Sequence, residues 1–137
     1  MIANRSIPNS VVLPQLAYPD VTIAADWLCD AFGFERRLLI GNHRAQLTVP
    51  GGGAMIVTEL DSASARPSAH STMIRVEDVD AHHARAIARG ARVVRAPADH
   101  PYGERQYTVE DPGGHVWTFS QSLADVDPAS WGGILSR

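Results

Sequence analysis

The 137-residue chain contains no lysine, and all twelve of its basic residues are arginine. Schiff-base chemistry and a phosphate-loop lysine are thereby excluded. Cysteine is nearly absent too: Cys29 stands alone and cannot close an internal disulfide. No apolar run approaches the roughly 20 residues of a membrane span. The opening stretch MIANRSIPNSVVLP lacks the charged and apolar regions of a secretory signal. Together these absences predict a reducing, cytoplasmic setting with no membrane partner. Cations are scattered and the net charge is -3, so nothing clusters enough positive charge to release counterions from phosphates. Nucleic acid is not an expected partner. With 45% hydrophobic and 20% charged residues, and neither glycine nor proline in excess, the chain has the composition of a single globular domain.

Hydrophobic patterning predicts a strand over Val11 to Tyr18 that stops at Pro19-Asp20, where a helix begins. From Val21 to Phe34, Ile23, Trp27 and Ala31 form one i,i+4 row and Ala24, Leu28 and Phe32 the next, with Gly33 closing the helix. Strands are expected at Arg37 to Ile40, Arg44 to Val49 and Ala54 to Leu60, separated by Gly41-Asn42 and Pro50-Gly51-Gly52-Gly53. The Ser- and Ala-rich stretch Asp61 to Ala69 reads as an exposed linker. A strand over Ser71 to Glu77 follows, then a helix over Asp78 to Arg89 with Ala84, Ile87 and Ala88 on its inner face and Gly90 as its cap. Strands at Arg92 to Ala96, Gln106 to Glu110 and His115 to Ser120 complete the pattern, the last two joined by the turn Asp111-Pro112-Gly113-Gly114. The tail, residues 122–137, is expected to add a short helical turn after Asp127-Pro128, with Trp131 docking and Gly132-Gly133 ending it.

The second half repeats the first. Pro19-Asp20-Val21 answers Glu77-Asp78-Val79, and the distances from Asp20 to Gly33 and from Asp78 to Gly90 are 13 and 12 positions. An internal duplication follows: an α+β fold of two βαβββ modules, residues 11–60 and 70–121, within one domain. Each helix covers one face of its own sheet, which leaves the other faces to form a cupped, eight-stranded mixed sheet around a cavity.

The paired βαβββ modules, the strand-Asp-helix start of each, and DPGGHVWTFSQ at the last strand resemble the vicinal oxygen chelate superfamily. That superfamily includes glyoxalase I, bleomycin resistance proteins, fosfomycin resistance enzymes and extradiol dioxygenases. The resemblance covers roughly Val12 to Gln121. It implies metal ligands, usually His, Gln or Glu, on the first and last strand of each module. Here those positions fall at Leu13, Val57, Ser71 and Thr118, none of which is a good ligand for a divalent transition metal. Gln15 shares a face with Leu13, and Glu59 with Val57, so a shift of register would bring in a ligand at either place. His70 does not share a face with Ser71. No bound metal or other cofactor is expected. The loop His100 to Tyr107, together with the strand HVWTF, resembles that of a subgroup of small glyoxalase-like proteins that lacks the metal ligands.

By strand alternation Gln15, Glu59, Ser71, Met73, Arg75, Val116, Thr118 and Ser120 are expected to line the cup, with Trp117 and Phe119 facing the helices. Arg75, a cation in a concave pocket, must pair with Glu59, Glu77 or an anionic ligand. The stretch His100 to Tyr107 concentrates aromatic and hydrogen-bonding groups in a hairpin loop, where recognition is commonly carried. In it Tyr102 and Arg105 are either ligand contacts or, respectively, a turn residue and a local partner of Glu104. His82 and His83 lack the i,i+4 spacing of a two-imidazole metal site and read as solvated. His43 and His115 read as local hydrogen-bond partners, His100 as a candidate base without a carboxylate at a meaningful spacing, and Cys29 as a small buried hydrophobe. Gly51-Gly52-Gly53 lacks the strand, helix and lysine of a phosphate loop.

The resulting expectation is a cytoplasmic protein that binds a small organic molecule in an apolar cup without metal, for sequestration or sensing. Gln15, Glu59, Arg75, Tyr102, Arg105 and Thr118 are its ligand-binding candidates. The resemblance implies a homodimer. Two alternatives stand beside it: an enzyme of the same fold, metal-dependent or using His100, Glu59 or Glu104 as acid or base, and an interaction module whose cup is filled by its own side chains.

Overall fold

Asp20 and Asp78 start their helices in the same way. Each has an extended backbone, and its carboxylate accepts a hydrogen bond from the N–H three residues on, Ile23 at 2.9 Å and Ala81 at 3.0 Å. This satisfies a donor that the first helical turn otherwise leaves orphaned. Helix α1 runs Val21–Phe32 and α2 runs Val79–Ala88. Gly33, at φ +79, closes α1 as expected. Arg89 rather than Gly90 is the C-cap of α2, and Gly90 follows at φ +83.

The structure, a computed structural model, describes residues 2–60 and 71–135. The chain divides into two units, residues 1–69 and 70–137. The expected linker over Asp61 to Ala69, and His70, lie outside the described residues. In the first unit β1 (Gln15–Tyr18), β2 (Glu35–Ile40), β3 (Arg44–Thr48) and β4 (Ala54–Glu59) form a sheet in the order β1-β4-β3-β2. In the second, β5 (Thr72–Arg75), β6 (Arg92–His100), β7 (Glu104–Glu110) and β8 (Val116–Ser122) form a sheet in the order β5-β8-β7-β6. The outer pairs β1/β4 and β5/β8 are parallel and all the others antiparallel. The duplication is therefore present as two βαβββ modules of one topology, each a four-stranded mixed sheet with its own helix.

Several boundaries differ from the sequence expectation. Val11 to Pro14 are not strand, and β1 begins at Gln15. Strand β6 runs on to His100 because register shifts between Val93 and Arg95 and between Arg95 and Ala98 absorb Pro97, which has no N–H to give a ladder. The inner stripe of α1 is Val21, Ala25, Leu28, Ala31 and Phe32. Ile23, two residues or about 200° round from Val21, is 68% exposed. In α2 the buried residues are Val79 and Ala86, whereas Ala84, Ile87 and Ala88 are exposed. So short an apolar stripe is completed by histidines: His82 and His83 lie one turn from Val79 and are half-buried, not solvated. The His82 ring sits 3.9 Å from that of Phe119, and its Nδ1 is 2.5 Å from the Tyr107 hydroxyl. His83 meets the Tyr107 ring edge-on at 5.1 Å.

Tyr107, Val109, Trp117 and Phe119 fill the helix side of the second sheet, as expected for Trp117 and Phe119. The tail forms a 3-10 turn over Pro128–Trp131, capped by Asp127 and ended by Gly132 at φ +96. Among the described residues no helix is long and apolar enough to cross a membrane.

Candidate functional site

Strand pairing decides which side chains share a face, because register partners point the same way and neighbours along a strand point oppositely. In the second sheet Arg75 pairs with Ser120, Ser120 with Gln106, Met73 with Thr118, and Thr118 with Thr108. All six lie on the face opposite Trp117 and Phe119. Glu104 joins them, paired with Ser122 on one side and His100 on the other.

These groups form one connected row. The Tyr102 hydroxyl donates to Gln106 Oε1 at 3.1 Å, Gln106 Nε2 donates to Ser120 Oγ at 3.0 Å, and Ser120 Oγ donates to Glu104 Oε1 at 2.7 Å. Hydrogen bonds from Ser122 and Ser120, reinforced by the positive charge of Arg75, hold the Glu104 carboxyl below its usual range. Glu104 is therefore an ionised acceptor. Thr108 and Thr118 share a hydroxyl hydrogen bond at 3.0 Å beside this row. The sequence left Arg75 to Glu59, Glu77 or an anionic ligand, and the carboxylate its charge acts on here is Glu104.

The hairpin between β6 and β7 closes one end of the row with aromatic rings. His100 stacks on Tyr102 at 5.1 Å and 7°, and Tyr102 meets Trp131 of the tail at 5.4 Å. Gly103, at φ +84, lets the tail approach: a Cβ there would lie 2.7 Å from Ala124 O and 2.8 Å from Val126 Cγ2. Leu123 N–H donates to Gly103 O at 2.8 Å. Trp131 keeps 46% of its surface exposed, and Met73 keeps 62%. An ionised acceptor, neutral amide and hydroxyl groups, and an exposed indole are thus set on one open sheet face.

Of the sequence candidates, Arg75, Tyr102 and Thr118 meet on this face and Arg105 does not. Arg105 alternates to the helix side, where it binds Asp80 of α2 at 3.0 Å and Asp99 of β6 at 2.9 Å, and not Glu104. Its guanidinium is raised above its ordinary value by those two carboxylates, Asp99 first. In the first sheet Gln15 pairs with Ile56 and Tyr18 with Glu59. Gln15 and Glu59 consequently face opposite ways, and the expectation that both line one face fails. The register also places Val57, partner of Leu16, on the face away from Gln15. Sequence reading gave no role to Gln106, although its spacing of four from Tyr102 across a hairpin was available. Trp131 had no local signal for its partner. The carboxylate near His100 was missed because hairpin register, not sequence spacing, sets Glu104 opposite it.

The family model described as Glyoxalase/Bleomycin resistance protein/Dioxygenase superfamily matches residues 9–119, and the chain belongs to that superfamily. Its structure is similar to that of TioX from Micromonospora sp. ML1, at 35% identity and TM-score 0.69 over 86% of this chain and all of that one. It is also similar to a glyoxalase/bleomycin resistance protein from Streptomyces sp. CB03234, at 25% identity and TM-score 0.65 over 82% of this chain and 100% of that one. The fold is shared with the fosfomycin resistance protein FosX of Listeria monocytogenes, at 16% identity, TM-score 0.67, and coverage of 85% and 95%. The uncharacterized protein Rv0887c of Mycobacterium tuberculosis is 39% identical over 77 residues, 56% of this chain and 42% of that one. The chain thus matches less than half the length of that curated relative.

The metal that the superfamily implies does not fit these side chains. Register places Gln15, Ile56, Met73 and Thr118 at equivalent open-face positions of the outer strand pairs, and only Gln15 offers even a neutral oxygen of the usual ligand types. Thr118 is already hydrogen-bonded to Thr108. Among the described residues no three His, Cys, Asp or Glu side chains are arranged to hold a metal ion.

Proposed function

We propose that this protein binds a small organic molecule without using a metal, sequestering it on the open face of the second sheet, as a cytoplasmic homodimer. The observation that carries this reading is the continuous row Tyr102–Gln106–Ser120–Glu104, ending at the exposed indole of Trp131. Such a row orients a ligand by hydrogen bonds, while indole and Met73 offer apolar area worth roughly 25 cal/mol per Å² removed from water. Binding is favoured over acid–base catalysis because Glu104 is held ionised by donors and is a weak proton acceptor near neutrality. Of the candidates from sequence Tyr102 is a member of this row, Arg75 and Thr118 lie beside it on the same face, and Gln15, Glu59 and Arg105 have no part in it.

The test is thermal unfolding against a panel of aromatic natural products that includes bleomycin, with and without EDTA. A ligand at a hundredfold excess over its dissociation constant adds about 2.7 kcal/mol, so a real site raises the melting temperature visibly. A shift that survives EDTA and is lost in Gln106→Ala and Trp131→Ala supports the proposal. One transition metal per chain in protein purified without chelator, with a melting temperature that falls on chelation and returns on adding the metal back, overturns it. Sedimentation at the mass of two chains supports the dimer, and the mass of one chain refutes it.

A further inference from the structure

Part of the open face of the first sheet, at Arg37 and Gln46, is covered by residues 4–8. Residues Asn4 to Ile7 form a turn in which Asn4 Oδ1 accepts from Ser6 N–H at 3.0 Å and Asn4 O accepts from Ile7 N–H at 3.3 Å. With the amides turned inward, three successive carbonyls point at the sheet. Arg37 Nη2 donates to Arg5 O at 2.9 Å and to Ile7 O at 3.3 Å, and Gln46 Nε2 donates to Ser6 O at 2.8 Å. Arg37 Nη1 donates in turn to Gln46 Oε1 at 2.5 Å. Gln46 is only 3% exposed, and Pro8, next after the turn, is buried.

Among the described residues the hydrogen bonds of the two strand arginines beside Gln46 go to neutral oxygens. Arg37 is held by an amide oxygen and two peptide carbonyls, all neutral. Arg44, two residues before Gln46 and on its side of β3, donates to the neutral Gln15 Oε1 at 3.2 Å. Glu35 of β2, paired with Thr48, is the carboxylate that register places on the same side as Gln46 and Arg44. A guanidinium binds a carboxylate through charge-assisted, often bidentate bonds about twice as strong as those to neutral oxygens. A buried glutamine fixed between Arg37 and the turn supplies one further donor.

We infer that Arg37 and Gln46 form a carboxylate-binding site on the first sheet, and that residues 4–8 are a displaceable strap whose carbonyls occupy it until an anionic ligand arrives. The ligand class is a small mono- or dicarboxylate, and the site uses none of the residues of the polar row Tyr102–Gln106–Ser120–Glu104. A strap closed in about nine molecules of ten weakens apparent affinity about tenfold relative to an uncovered site.

The experiment is amide and guanidinium NMR of the intact chain titrated with succinate, and in parallel with succinamide, at ionic strength matched with sodium chloride. Succinate is expected to shift the Ser6 and Ile7 amides and the Arg37 Nε–H together, succinamide to move them far less, and Arg37→Gln to abolish the response while Arg92→Gln leaves it intact. A chain shortened to begin after Pro8 is expected to bind succinate about tenfold more tightly. The proposal fails if succinate moves none of these resonances, if succinamide or chloride moves them equally, or if Arg37→Gln responds as the native chain does. It fails equally if the shortened chain folds and binds no better; should that chain not fold, the intact-chain titration decides.

Discussion

The indole N–H of Trp117 donates to Asp111 Oδ2 at 3.0 Å inside the second module. The other carboxylate oxygen accepts from the backbone N–H groups of Gly113 at 2.9 Å and His115 at 3.0 Å. One buried side chain thus closes the turn into β8 and satisfies the largest buried ring of that module. Asp111→Ala leaves three donors short of their acceptor, so a loss of about 3 kcal/mol is expected in urea unfolding. Asp111→Asn, which keeps one acceptor oxygen for the turn, is expected to lose less. Equal stability of the alanine variant and the native chain would refute the assignment.

Gly103 and Gly52 separate backbone strain from crowding. Both have positive φ, +84 and +121, but a Cβ at Gly52 meets nothing within 4 Å, whereas at Gly103 it meets Ala124 O and Val126 Cγ2. Gly52→Ala is expected to cost about 1 kcal/mol, from conformation alone. Gly103→Ala is expected to cost about 2 kcal/mol or more and to push the tail outward, changing Trp131 fluorescence as its contact with Tyr102 opens. Equal losses in the two variants, with unchanged emission, would show that the tail does not press on Gly103.

The helix starts, the glycine end of α1 and the repeat were legible because each rests on local chemistry: an aspartate before a helix and a glycine after it. The polar faces of β5 and β8 were legible by alternation, and they led to Arg75 and Thr118. What was not legible depended on register. Gln15 and Glu59 are both odd-numbered, yet one pairs with Ile56 and the other with Tyr18, and no property of either strand alone reveals that they face apart. Arg105 read as either a ligand contact or a local partner of Glu104, but the pairing of β7 with β6 out to His100 makes its position a strand position facing Asp80. His82 and His83 looked solvated because α2 is polar, although that poverty of apolar residues is what draws their rings inward.

Tyr107 gives the second module a dependence on alkaline pH. Burial raises its phenol well above the ordinary value of 10.0, so the folded state holds a proton that the unfolded chain releases. The stability this contributes is fully present below pH 10 and is lost as pH rises from there through the folded-state value. The limiting slope is about 1.4 kcal/mol per pH unit. Cys29 acts in the same direction from about its ordinary value of 9.0, since burial raises it too, so the comparison needs a matched variant. Tyr107→Phe is expected to be less stable at neutral pH, where the hydroxyl contact with His82 is lost, and to fall less steeply than the native chain above pH 10. Parallel stability curves for the two proteins would refute the assignment.

Glu104 is the opposite case at acid pH. Its carboxyl is held below 4.5 by hydrogen bonds from Ser122 and Ser120 and by the charge of Arg75, so protonating it in the folded protein is harder than in the unfolded chain. The stabilisation is present above pH 4.5 and is lost as pH falls through the folded-state value. A carboxyl-carbon NMR titration of the native chain is expected to place its midpoint below 4.5, and Ser120→Ala with Ser122→Ala to return it toward that value. Arg75→Gln should produce a smaller rise in the same direction, because the arginine acts by field and the serines by direct donation. A native midpoint at 4.5, unmoved by either set of substitutions, would refute the stabilisation of the Glu104 carboxylate by Ser122, Ser120 and Arg75.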